Sequence, residues 1–111
     1  SQAGAYTLDT VRIPLEVGVN PEDVEARLIK VARQACEDFM EEAGRTLRRY
    51  GDMRFVDLSQ FEPRVLFEPV DVDRFDAIVR FPAPVSARLP VAQQIVRGYY
   101  REPVRKNVAQ Q

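Results

Sequence analysis

From Val11 to Val19 the chain alternates between apolar and other residues. Val11, Ile13, Leu15, Val17 and Val19 fall on one side, and Arg12, Pro14, Glu16 and Gly18 on the other. This period of two predicts a strand over 11–19 with one buried face. Pro14 has no N–H to give to a ladder, so the strand is expected at a sheet edge. The period then changes. Asn20 can accept from free N–H groups at a helix start, and Pro21 suits the first helical position. Val24, Leu28, Val31, Ala32, Ala35 and Phe39 share one helical face, and the stripe drifts towards Cys36, Ala43 and Leu47. The helix is expected to reach Tyr50, with Gly44 its weak point and Gly51 its stop. Glu22, Asp23 and Glu25 near its start, and Arg45, Arg48 and Arg49 near its end, complement the helix dipole. Such a helix spans roughly 45 Å against roughly 25 Å for the strands. It must either break near Gly44 or overhang the sheet, leaving Phe39, Met40 and Leu47 in need of a partner.

Residues 52–62 read as an irregular connection with an apolar patch at Phe55, Val56 and Leu58. Arg64–Glu68 reads as a short strand ended by Pro69, with a turn at Asp71-Val72-Asp73. Residues 74–83 alternate again. Phe75, Ala77, Val79, Phe81 and Ala83 face one way and Arg74, Asp76 and Arg80 the other, with Ile78 the exception. The two strands read as a hairpin. Ser86 is expected to cap a second helix, with Pro90 in its first turn, an apolar face at Val91, Ile95 and Tyr99, and a break at Glu102-Pro103. The order β-α-β-β-α predicts an α+β fold of the ferredoxin-like, split-βαβ kind. Its sheet is antiparallel with both helices on one face, and the tail could supply a fourth strand. Residues 1–9 read as a linker or the cut edge of a longer chain, 10–101 as the domain and 102–111 as a tail.

Composition narrows the chemistry. The 111 residues carry a net charge of −1, with 45% apolar and 30% charged residues, so the chain reads as one globular domain without the basic surplus of a nucleic-acid binder. No apolar run has the length of a membrane span. Histidine, the usual general base near neutral pH and the commonest metal ligand, is absent. The one cysteine, Cys36, sits on the packing stripe and reads as a core residue. Glu37, Asp38, Glu41 and Glu42 read as a solvated helix face rather than an acid–base pair or cation site. Arg64, Arg74 and Arg80 with nearby aromatics suggest an RNA-reading sheet, but Phe75 and Phe81 point the opposite way from the arginines. No catalytic, cofactor or metal site is expected, nor a nucleic-acid or small-molecule partner. Phe39, Met40 and Leu47 are candidate subunit contacts, the alternative being that residues 55–58 fold over them. Pro14 joins them because an edge strand needs a neighbour or the tail to manage it.

Four segments carry a family resemblance. Thr10–Glu25 is similar to the strand, Asp- or Asn-led turn and helix below the β-domain of small-conductance mechanosensitive channels. Glu62–Glu68 resembles that family's next strand, Phe75–Ala83 the strand after it, and Val91–Tyr100 the last helix. The stretch from Phe39 to Phe61 is longer than the family's usual link. The resemblance implies a non-enzymatic cytoplasmic domain of a bacterial inner-membrane channel. Such channels are homo-heptamers that release ions and small solutes when membrane tension rises after osmotic downshock. The domain would help build the cytoplasmic vestibule and filter solutes, with the pore-lining helix preceding Ser1. The contrasting expectation, from the fold alone, is a free-standing ligand-binding or regulatory module.

Overall fold

The computed structural model describes residues 6–49 and 61–106, the side chains of 43, 44 and 46–49 excepted. Strand β1 (Tyr6–Pro14) leads to helix α1 (Pro21–Arg49), then β2 (Arg64–Asp71), β3 (Arg74–Pro84), a single 3-10 turn at Val85–Ala87 and α2 (Arg88–Arg101). The sheet is antiparallel with strand order β1-β3-β2. Helix α1 packs across β3 and reaches β2, while α2 lies over β1. This is the expected α+β, ferredoxin-like arrangement, with three strands among the described residues.

The prolines set the hydrogen-bond phase of this sheet. In an antiparallel pair, residues alternate between exchanging both backbone bonds and exchanging none. Pro82 and Pro84 lie opposite Leu8 and Tyr6, and neither has an N–H, so these are the open pairs. The bonded pairs are then Thr7↔Ala83, Asp9↔Phe81, Val11↔Val79 and Ile13↔Ala77. The same phase hands the even residues of β3 to β2, where Pro69 opposite Phe75 falls on an open pair as it must. On β1 the N–H and C=O groups of Tyr6, Leu8, Thr10 and Arg12 therefore point away from the sheet. Pro14, whose own N–H is missing, ends this outer row. The expectation that Pro14 marks an edge strand holds.

Side chains follow the same alternation. Ile13, Val65, Ala77, Val79, Phe81 and Ala83 are buried under the helices with Val24, Leu28, Ala32, Cys36, Val91, Ile95 and Tyr99. Phe67 and Phe75 meet edge to face at 5.2 Å between centroids near the hairpin. At Gly98 the two helices come so close that a Cβ there would stand 2.7 Å from Val31 Cγ1.

Boundaries differ from expectation for physical reasons. The strand expected over 11–19 begins at Tyr6 and ends at Pro14, so residues 6–9 belong to the sheet. Leu15 and Val19 are buried as the alternation implied, but Val17 and Gly18 form a turn. Gly18 has φ +89°, a left-handed conformation that glycine adopts without strain. Pro69 does not end β2, because at an open pair a missing N–H breaks no ladder bond. Ser86 does not cap α2: it sits in the 3-10 turn, and Ala87 precedes the helix without a side-chain cap. Gly44 does not break α1, which is 29 residues long. Asn20 caps α1 as expected, its Oδ1 accepting from the N–H groups of Glu22 (2.8 Å) and Asp23 (3.2 Å). The tail residues 102–106 contribute no strand. Val104 N–H donates to Tyr99 Oη and Lys106 N–H to Glu16 Oε1, carrying the chain towards the β1–α1 turn. The patch at 55–58, the stop at Gly51 and the last five residues lie outside the described residues.

Candidate functional site

The candidate contacts Pro14, Phe39, Met40 and Leu47 do not form one patch. Pro14 ends β1 close to the start of α1. Phe39 and Met40 lie at the other end of the sheet, where Glu42 stands close enough to Tyr6 to add to the effect of burial in raising its phenol above the ordinary value. Eight residues of strand, roughly 27 Å, separate these ends. Phe39 continues the core stripe and is half-buried against it. Met40 is also half-buried, on the flank of α1 that carries Ile29. The Leu47 side chain, in the last turns of α1, lies outside the described residues.

Pro14 has an intramolecular partner. Its carbonyl, pointing outward from β1, accepts from Tyr100 Oη at 3.0 Å. Tyr100 comes from the end of α2, which crosses β1 and brings the ring to the strand's edge. Burial raises the Tyr100 phenol above its ordinary value, reinforced by the neighbouring Tyr99 and Asp76. Tyr99 packs against Tyr100 edge to face at 5.3 Å.

On the face of the sheet away from the helices, Arg12 spans all three strands. Its guanidinium reaches Asp76 Oδ2 on β3 (3.1 Å) and Glu68 Oε1 on β2 (3.0 Å). Glu68 and Asp76 stand directly opposite each other in the ladder, so the arginine offsets a like-charge pair. The hydrogen bonds to Asp76 and then Glu68 raise the Arg12 pKa. Asp76 is only 6% exposed. Its Oδ1, like Arg80 Nε nearby in sequence, is buried without a hydrogen-bond partner among the described residues. Around this cluster the same face presents Leu66, 62% exposed. The arrangement can hold the strands in register and can offer polar and apolar contacts to a partner, but it presents no nucleophile–base pair. The sequence placed Asp76 on this outward face. It did not reveal the Arg12 clamp, which needs the strand order.

Cys36 is fully buried, and burial alone pushes its thiol up to about 11. Glu37, Asp38, Glu41 and Glu42 are exposed along α1. Among the described residues no three metal-ligating side chains converge, and no helix is long and apolar enough to cross a membrane. Arg64 is exposed, and Arg74 and Arg80 are partly covered on the outward face. Phe75 and Phe81 lie on the helix side, so the arginines and rings do not share a face.

The chain matches no protein-family model. No curated protein is similar enough to count as a relative.

Proposed function

We propose that this is a non-catalytic assembly domain, built to pack against further copies of itself in the cytoplasmic vestibule of a bacterial mechanosensitive channel. The observation that carries the reading is the resemblance of four segments in one order, together with where they fall. Thr10–Glu25 covers the end of β1, its turn and the start of α1. Glu62–Glu68 leads into β2, Phe75–Ala83 lies within β3, and Val91–Tyr100 lies within α2. Each is a regular element in the arrangement the resemblance implies. The 29-residue helix α1, about 43 Å long, outreaches the sheet and supports the reading by extending a flank a ring neighbour can use. On this reading the protein is a homo-heptamer at the cytoplasmic side of the inner membrane, and the present domain filters solutes without forming the gate.

The test uses the intact gene in a bacterial strain lacking its own tension-gated channels. Rescue of survival after osmotic downshock, with tension-gated currents in excised patches, is the expected result. Full-length protein present in the membrane without tension-gated current would overturn the reading.

A further inference from the structure

The outer edge of β1 is where a fourth strand would join this sheet, and no described residue fills it. A bare edge of nine residues is a template for another chain. To add a strand, each outward residue must offer both its N–H and its C=O, at every second position. Tyr6, Leu8, Thr10, Arg12 and Pro14 are those positions on β1. Three of the five are wholly or half closed by this chain's own side chains. Thr10 N–H donates to Asp9 Oδ1 at 2.8 Å, which also places that N–H away from β3, as the proline phase requires. Leu8 C=O accepts from Thr7 Oγ1 at 3.4 Å. Pro14 has no N–H, and its C=O is held by Tyr100 Oη. Only Tyr6 and Arg12 keep both groups open among the described residues, and they are three rungs apart. No two neighbouring rungs are free.

We propose that Thr7, Asp9, Pro14 and Tyr100 together act as an edge guard that keeps β1 from pairing with β1 of a second copy. The natural intruder is an identical strand related by a two-fold axis, because the outward row is self-complementary. Centred on Thr10, such a pair sets Thr10 against Thr10, Leu8 against Arg12 and Asp9 against Val11, with six backbone bonds and no like-charge opposition. The Asp9 cap strikes this register at its centre, once on each strand. A two-fold pair of this kind would also consume a copy in a closed dimer, so the guard steers self-association to other surfaces. The guard works in the same way whether or not the chain belongs to a channel.

Removing the guard tests it. The variant Thr7→Val/Asp9→Ala/Tyr100→Phe is compared with the unaltered chain by sedimentation velocity across the micromolar range and by amide hydrogen exchange. In the unaltered chain the Leu8 and Arg12 amides exchange fast at all concentrations, and Thr10 more slowly. In the variant the chain dimerises, and Leu8, Thr10 and Arg12 become protected as concentration rises. Unchanged sedimentation in the folded variant overturns the inference. So does association without protection of these amides, and so does an unaltered chain already protected there in a concentration-dependent way. Should the triple variant not fold, Asp9→Ala alone decides. Its Thr10 amide is expected to exchange about ten-fold faster, the equivalent of one lost hydrogen bond, while Asp9→Asn keeps the acceptor and the slow exchange. Equal Thr10 exchange in all three proteins would remove the cap.

Discussion

Gly98 is where the two helices meet most closely, and Gly98→Ala pits two opposing effects of similar size. Alanine favours the helix over glycine by about 1 kcal/mol. Its Cβ, however, would stand 2.7 Å from Val31 Cγ1, about 1 Å inside the normal carbon–carbon separation of about 3.5–4.0 Å. Val31 cannot readily swing aside, since a β-branched residue in a helix is held to one rotamer. The helices must part instead, at about 1–3 kcal/mol for an overpacked site. The net expectation is a loss of about 1 kcal/mol, or about 4 °C in Tm for a domain of this length. The decisive measurement repeats the change in a Val31→Ala background. Val31→Ala alone deletes two buried methyl groups and costs about 2 kcal/mol with its cavity. There the methyl group added at position 98 enters the vacated space, so Gly98→Ala should now stabilise by about 1 kcal/mol. Urea unfolding followed by circular dichroism on the four proteins gives the cycle. A sign reversal with a coupling of about 2 kcal/mol is expected. Effects additive within about 0.5 kcal/mol, or stabilisation by Gly98→Ala in both backgrounds, would refute the close contact.

Other perturbations follow from single features of the structure. Asn20→Ala removes the acceptor for two N–H groups at the start of α1 and should cost about 1 kcal/mol in urea unfolding, whereas Asn20→Asp should cost little. The Cys36 thiol is raised from 9.0 to about 11 in the fold. Its contribution to stability is therefore complete below pH 9, where both states are protonated, and is lost as pH rises from 9 towards 11. Cys36→Ala should flatten the fall in stability across that window. Native Cys36 should react with a disulfide reagent at about pH 8 only as fast as the chain opens, and the unfolded chain at once. Arg12→Met leaves Glu68 and Asp76 facing each other without their cation and should lower Tm. Adding Asp76→Leu should restore part of the loss, because it removes the buried carboxylate that the lost arginine leaves uncompensated.

The α+β class, the hairpin and most of the core were legible because burial repeats at a fixed period. Val24, Leu28, Ala32 and Cys36 declare a helix face, and Ala77, Val79, Phe81 and Ala83 a strand face, whatever they pack against. Where β1 begins was not legible. Tyr6 and Leu8 do alternate with Thr7 and Asp9, but at even positions, out of phase with Val11 and Ile13, so the core stripe of the strand does not run back through them. Its end was misplaced for the opposite reason: Leu15 and Val19 remain buried beyond the strand, so the alternation outlasts the ladder. The cap expected at Ser86 fails because a 3-10 turn intervenes, a local detail without periodicity. The Arg12 clamp and the Tyr100–Pro14 bond join residues 64 and 86 positions apart. They depend on strand order and on which edge α2 crosses, which no local pattern encodes.

Pro14 shows how the same sequence signal changes meaning once the ladder is known. On the sequence, a proline in an alternating run marks an unpaired edge, and an unpaired edge suggests a neighbour. In the fold, that proline is one of several groups that close the edge. Its missing N–H removes a donor, and its carbonyl is taken by Tyr100 at 3.0 Å, while Asp9 and Thr7 close the rungs before it. On the proposed guard, an edge proline protects the edge rather than inviting a partner strand. For the proposed assembly this shifts attention away from β1. Among the described residues, two surfaces with side chains to offer are the flank of α1 around Ile29 and Met40 and the sheet face around Leu66 and Arg12. Both present side chains rather than open backbone. Contacts made by side chains can fix a rotation between neighbours that closes a ring, whereas an open backbone edge would accept any strand of suitable length.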